Sequence, residues 1–518
     1  MLSSTASGSK QSVLKKFQQN FNGRLAYAVG FIALSQVNFG LEQSVFNNTQ
    51  AMTDFTRRFG VYNTKTRRYQ LETYYLSLLG SLTYIGFVFG LVTGNFLSAK
   101  IGRKKCFAVM CFWAILGTIV CITTKTNKWQ MVAGRIIAYV YIGMELALVP
   151  VTQSELVPAA VRGAVVGTYQ SSLLFGSLVG SVICRGTGDL AGDMSWRVPM
   201  GLLFVIPSVM LCSVWYIPES PRWLLMKDRP EDAMENLRLL RQGRFTDEQI
   251  QQEFREFQST LHATVKKGTF SEMFQGTNLR RTLIVIGVNV FLQITGQNFV
   301  SVYGSIFIKS LGVVNPFTMA SINSALGIVF VLITQTVTDR TGRVPLMTAG
   351  ALIQTAALFT MGLLGTRSNP TQPVKSGIVS MVTIFSIGFA LGWAPLSHVV
   401  AAEIPTQKLR DMTYALGSVF NIAIQFTVSF SIPYLLNEPY AGLGSKVGFI
   451  FGSTATLAML FSWFCIPECG GKTLEEIDEL FLEGIPIKQF GKTSAQKSVE
   501  VREQGLEKQK VEVRAVQV

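Results

Sequence analysis

Twelve apolar runs recur along this chain, near 25–47, 73–99, 104–124, 129–152, 163–187, 197–217, 280–310, 316–338, 345–365, 376–402, 410–436 and 445–466. Each approaches the ~20 residues an α-helix needs to cross the hydrocarbon core of a bilayer. So many runs of that length leave little chain for a water-soluble core. In lipid, backbone groups that must be satisfied within one segment require helices. The pattern predicts an all-α polytopic membrane protein with twelve transmembrane helices. Composition agrees where it discriminates, with 48% hydrophobic and only 15% charged residues among 518.

The first 24 residues are polar and basic with no apolar core of their own, which excludes a cleavable signal peptide and leaves span 1 as its own insertion signal. Lys/Arg excess marks the cytoplasmic side. It falls before span 1 (Lys10, Lys15, Lys16, Arg24) and between spans 2 and 3 (Lys100, Arg103, Lys104, Lys105). An even number of spans then predicts both termini in the cytoplasm. The segment 48–72 opposes this, because it should be external yet carries Arg57, Arg58, Lys65, Arg67 and Arg68. The majority of loops sets the expected orientation.

Seven cysteines lie in or beside spans without paired spacing, and two histidines, His262 and His398, are too few for a metal cluster. Neither a metal nor another cofactor is expected, and no catalytic constellation points to an enzyme. The net charge of +15 is read as a basic face against anionic lipid rather than as a nucleic-acid footprint.

The chain repeats itself. IGRKK (101–105) follows span 2 and TGRVP (341–345) follows span 8, 240 residues later. ELVPAAVRG sets Glu155 seven residues before Arg162, and EIPTQKLRD sets Glu403 seven before Arg410, at an offset of 248. PESPRWL (218–224) and PECGGKTL (467–474) follow spans 6 and 12 at an offset of 249. Two homologous six-helix halves are predicted, 25–217 and 280–466. They are flanked by a cytosolic segment 1–24, a cytosolic linker 218–279 with short helices, and a cytosolic segment 467–518 whose end is too poor in large apolar residues to fold alone. Duplicated halves suit alternating access, in which they rock about a site near the bilayer midplane.

On GRKK, GRIIAYVYIG (134–143), PESPR, TGQN, DRTGR, the Glu/Arg spacing and PE…KTLEEID, the chain resembles the sugar porter family of the major facilitator superfamily over about residues 25–485, in the style of its fungal members. The resemblance implies a cytosolic gate of ion pairs built from Arg103, Glu155, Arg162, Glu219, Arg222, Asp339, Arg343, Glu403, Arg410 and Glu468. Positive-inside topology alone explains the arginines but not glutamates recurring at matched spacing. The first loop departs from the family with Ala99 where an aspartate is usual, whereas the second keeps Asp339.

A sugar presents hydroxyls over an apolar face, so its site calls for amide side chains and an aromatic plane. Spans 5, 7 and 11 offer amides, which in membrane helices also serve as interhelical glue. By the resemblance, sugar contacts fall on Gln170, Gln293, Asn298 and Asn421, and Gln297, Trp393 and His398 complete the candidate set. His398 stands where the family has a second tryptophan, so it either alters substrate choice or bonds structurally beside Pro395. Leu292, Val302 and Gly327 depart from the family as well.

Glu42 interrupts span 1, where a carboxylate is costly and should find a partner. Span register places it opposite Arg135 of span 4, and span 10 has no matching arginine. A carboxylate beside Arg⁺ keeps its charge, whereas one moved away in an apolar cavity binds a proton. In proton-coupled sugar porters an aspartate occupies this position with the same arginine. The expected function is a plasma-membrane monosaccharide–proton symporter, with a sugar, a proton and the lipid bilayer as partners. A facilitative uniporter is the alternative. A transporter-like nutrient sensor is disfavoured by the short tail of about 30 residues.

Overall fold

The computed structural model describes residues 19–64, 67–262 and 268–491. The basic residues before position 19, Lys65 and the tail after 491 lie outside them. Eleven helices are long and apolar enough to cross a membrane among the described residues: Gly23–Thr49, Thr73–Ile101, Arg103–Ile122, Lys128–Leu156, Met194–Tyr216, Gly276–Val302, Pro316–Thr338, Arg343–Leu364, Gln372–Glu403, Arg410–Leu436 and Gly444–Cys465. Ala159–Thr187, 29 residues long, supplies span 5 and brings the number to twelve.

The chain divides into two compact units, residues 1–264 and 265–518. Both use one packing scheme. In the first, span 1 packs on span 5, and span 4 on spans 2 and 3. In the second, span 7 packs on span 11, and span 10 on spans 8 and 9. Spans 3 and 6 pair as spans 9 and 12 do. Lipid offers no hydrophobic drive between helices, so close backbone approach does the work. A Cβ on Gly40 would lie 1.8 Å from the Leu173 carbonyl oxygen, and one on Gly176 1.9 Å from that of Val37, so the crossing of spans 1 and 5 requires glycine on both helices.

Local chemistry sets helix ends and breaks. Asn22 caps span 1 by accepting from the Leu25 N–H, and Asn315 caps span 8 ahead of Pro316. Span 7 breaks at Gly296, in the left-handed conformation at φ 98°, before helix Gln297–Val302. Span 10 breaks at Gly392. Pro395 cannot donate back to the Leu391 carbonyl. That oxygen accepts instead from the Thr334 hydroxyl of span 8 at 2.8 Å.

Between spans 6 and 7 lie helices Pro221–Met226, Pro230–Arg241 and Asp247–His262. They pack within the first unit. Arg241 is buried, pairs with Glu253 at 2.8 Å and donates to the Leu156 carbonyl at the end of span 4, while the Trp223 indole donates to the Ala99 carbonyl. After span 12, Thr473 and Glu476 form a capping box that starts helix Leu474–Leu482.

Among the described residues, the departure from an all-helical reading is a small antiparallel hairpin, Val61–Asn63 with Arg68–Gln70, in the segment after span 1. This segment also shows where some of its basic charge goes. Arg58 donates to the Lys125 carbonyl at 2.6 Å and lies 3.8 Å from Asp193, which ties together the loops after spans 1, 3 and 5.

Candidate functional site

Each unit carries its own share of the candidate residues. In the first, Arg135 lies near the start of span 4, where span 1 brings Glu42 within 3.4 Å of its Nη1. The two are only 3% and 4% exposed. The guanidinium lies over Phe46 at 3.7 Å and Tyr139 at 4.7 Å, so aromatic faces share the work of replacing its hydration shell. The residues that line the small cavity beside the pair come from spans 1, 3, 4 and 6, including Thr118 and Cys121. Its volume, about 10 Å³, is about that of a single water-sized sphere.

The repeated markers assemble once in each unit, at the Glu155 end of span 4 and at the Glu403 end of span 10. Arg103 pairs with Glu155 through two hydrogen bonds of 2.7 and 2.8 Å. The Glu219 carboxylate accepts from the backbone N–H groups of Arg103 and Lys104, satisfying donors left free at the start of span 3. In the second unit Arg343 donates to Glu403 at 2.9 Å, and Glu468 accepts from the N–H groups of Arg343 and Val344, each at 2.9 Å.

This arrangement explains the glycine of each GR pair. Gly102 and Gly342 have φ of 95° and 89°, and a Cβ on either would stand about 2.5 Å from a carboxylate oxygen, at 2.4 Å from Glu219 and 2.5 Å from Glu468. Burial holds the Glu219 carboxyl above its usual 4.5, with the backbone donors of Ser220, Arg103 and Lys104 pulling it back down.

Each recurring glutamate is met by the arginine of a GR marker. Glu155 takes Arg103 and Glu403 takes Arg343. Arg410 is the first residue of span 11, half-buried, and its Nε has no hydrogen-bond partner. Arg222 stacks over Phe257 at 4.6 Å. The side chains of Arg162, Asp339 and His262 lie outside the described residues.

The amides of the second unit meet. Gln293 donates to Asn421 Oδ1 at 3.1 Å, and Asn421 donates to Asn289 Oδ1 at 3.2 Å, so spans 7 and 11 share a three-amide chain. Asn298 lies 3.5 Å from the Gln425 carbonyl, and Gln297 is half-buried one residue earlier. Trp393 is fully buried in the core against Phe291, with its indole N–H unpartnered, and so offers no open stacking face. His398 is exposed, its Nδ1 3.4 Å from the Tyr414 hydroxyl. Gln170 is half-buried on span 5.

Asn289 escaped the sequence reading because nothing marks one amide in an apolar helix as another's partner. Glu145 was as visible as Glu42, a lone carboxyl in the run YIGMELALVP. It is fully buried on span 4 and accepts from the Tyr169 hydroxyl at 3.2 Å.

The model of the sugar (and other) transporter family matches residues 28–481. The high glucose sensor RGT2 of Saccharomyces cerevisiae is 28% identical over 468 residues, 87% of this chain but only 60% of the sensor, so the chain spans less than two thirds of that relative. The high-affinity fructose transporter ght6 of Schizosaccharomyces pombe is 29% identical over 88% of this chain and 86% of its own length. The inward open conformation of the xylose transporter XylE from E. coli aligns with a TM-score of 0.73 at 21% identity, covering 88% of this chain and 99% of XylE. That likeness is one of fold. Taken with the family match over most of the chain, it makes this protein a member of the sugar (and other) transporter family with the major facilitator fold.

Proposed function

We propose that the protein is a monosaccharide–proton symporter of the plasma membrane, with both termini cytoplasmic, working by alternating access. The observation that carries this reading is the buried Glu42–Arg135 pair, framed by Phe46 and Tyr139. Beside the guanidinium the carboxylate keeps its charge, and drawn away from it in an apolar cavity it takes up a proton. A transport cycle that makes and breaks the pair thereby couples protonation to conformation. Sugar is bound by the amides of spans 5, 7 and 11, with Gln170, Gln293, Gln297, Asn298 and Asn421 as the contacts and His398 adjusting the choice of sugar. The buried Trp393 supports the walls of this site. The Arg103–Glu155–Glu219 and Arg343–Glu403–Glu468 clusters, with Arg162, Arg222, Asp339 and Arg410, gate the cytosolic side.

The test is expression in a cell lacking its own sugar carriers, with labelled glucose, fructose, galactose and xylose uptake and external pH recorded together. Wild type is expected to concentrate one of these sugars uphill and to alkalinise the medium. Glu42→Gln keeps volume but cannot titrate, so it should lose both effects while retaining sugar exchange. Uphill uptake with undiminished proton flux in that variant would sink the assignment. The similarity to a glucose sensor supports a second reading, a nutrient receptor, which predicts sugar binding without flux in wild type.

A further inference from the structure

Glu145 lies near the middle of span 4, ten residues beyond Arg135, which at 1.5 Å per residue is about 15 Å along the helix. Arg135 therefore does not neutralise it, and no lysine, arginine or histidine pairs with it among the described residues. One carboxylate oxygen accepts from Tyr169 at 3.2 Å, and the other is buried with no hydrogen-bond partner.

Its surroundings hold few groups able to balance a charge. Tyr141, one turn back on the same helix, directs its hydroxyl to the Ser35 carbonyl of span 1 at 2.9 Å. Cys111 of span 3 lies near Tyr141. Span 2 meets span 4 here through Gly90 and Gly94, against Val140 and Met144, and brings no titratable side chain. Span 5 contributes Tyr169. An ionised carboxylate without a cation is disfavoured in such a place, and its idle oxygen calls for a proton.

Tyr169 is followed immediately by Gln170, the proposed sugar contact of span 5. Any movement of span 5 on sugar binding alters the one hydrogen bond that favours the ionised form of Glu145. We infer that Glu145 is a second proton-binding carboxyl of the first unit, linked through Tyr169 to the sugar contact on span 5, so that its protonation and sugar binding are coupled. The inference rests on the symport reading for its role in transport, but the linkage itself is measurable without a proton gradient.

The experiment uses the full chain in liposomes at equal internal and external pH, with exchange of whichever labelled sugar among glucose, fructose, galactose and xylose wild type carries best. In the Glu42→Gln background, the half-saturation concentration should still change about tenfold between pH 5.5 and 7.5, since linkage of one proton gives up to tenfold per pH unit. Adding Glu145→Gln should reduce that change to less than about twofold. Tyr169→Phe, which keeps the carboxyl but removes its link to span 5, should likewise shrink the change, to less than about threefold. A flat profile in Glu42→Gln alone, or an undiminished one in the double variant, overturns the inference. If the double variant does not assemble, Glu42→Gln with Glu145→Asp serves, because the shorter acid withdraws from Tyr169, and an undiminished pH dependence of half-saturation then overturns the inference. Failure of the symport reading shows separately, as absence of uphill accumulation by wild type under an imposed proton gradient.

Discussion

Arg103 grips Glu155 through two hydrogen bonds of 2.7 and 2.8 Å, and both side chains are nine-tenths buried. Arg343 and Glu403 repeat the pair at 2.9 Å, in a more open setting. Each arginine also presents its backbone N–H to a second glutamate, Glu219 or Glu468. One charged side chain and one helix start are thus fastened together at corresponding places in both units.

Removing one partner of the better-buried pair leaves a charge stranded. Arg103→Ala should destabilise the first unit by about 3–5 kcal/mol, and Arg103→Ala with Glu155→Gln should recover part of that loss. Thermal unfolding in detergent reads both. Additive losses in the double variant would show that the pair contributes no coupling.

Glu219 should impose a slope of stability on pH. Burial raises its folded value above 4.5, so the folded state retains a proton that the unfolded chain gives up. Its favourable contribution is fully present below about 4.5 and is lost as the pH rises through the elevated folded value. Glu219→Gln is neutral throughout, and a melting-temperature profile from pH 4 to 7 should be flatter for it than for wild type. Parallel profiles would refute the assignment.

Asn289 is expected to act by positioning Asn421. Asn289→Ala removes the side-chain oxygen that accepts from Asn421 at 3.2 Å, a loss of about 1–3 kcal/mol for a buried polar group left unmet. Half-saturation for sugar should rise at least fivefold while maximal exchange rate changes little. A fall in rate at unchanged half-saturation would place Asn289 in helix packing alone.

His398 is exposed, with its Nδ1 3.4 Å from the Tyr414 hydroxyl, so replacing it should alter choice without harming the fold. His398→Trp exchanges a donor for a stacking surface and should change the relative uptake of glucose, fructose and xylose at normal membrane levels. If all sugars scale by one factor, the residue is structural.

Much of this protein is written in its sequence because the bilayer makes the problem nearly one-dimensional. A fixed hydrocarbon thickness sets the length of each span, and duplication sets the order of GR, Glu/Arg and PE markers. Opposed running directions then place Glu42 beside Arg135, since each is counted from the same membrane face. Span 5 was legible by its run near 163–187. What the sequence did not decide is which polar group meets which. That depends on which helices cross and how closely, and the crossings are set by contacts such as Gly40 with Leu173, far apart in the chain. Only the tertiary structure gives Arg103 to Glu155, turns Glu219 and Glu468 toward backbone donors, seals Trp393 in a core, joins Asn421 to Asn289 and leaves Glu145 facing Tyr169. A carboxylate's partner is fixed by a few ångströms between helices, and a pattern read along one chain carries no such distance.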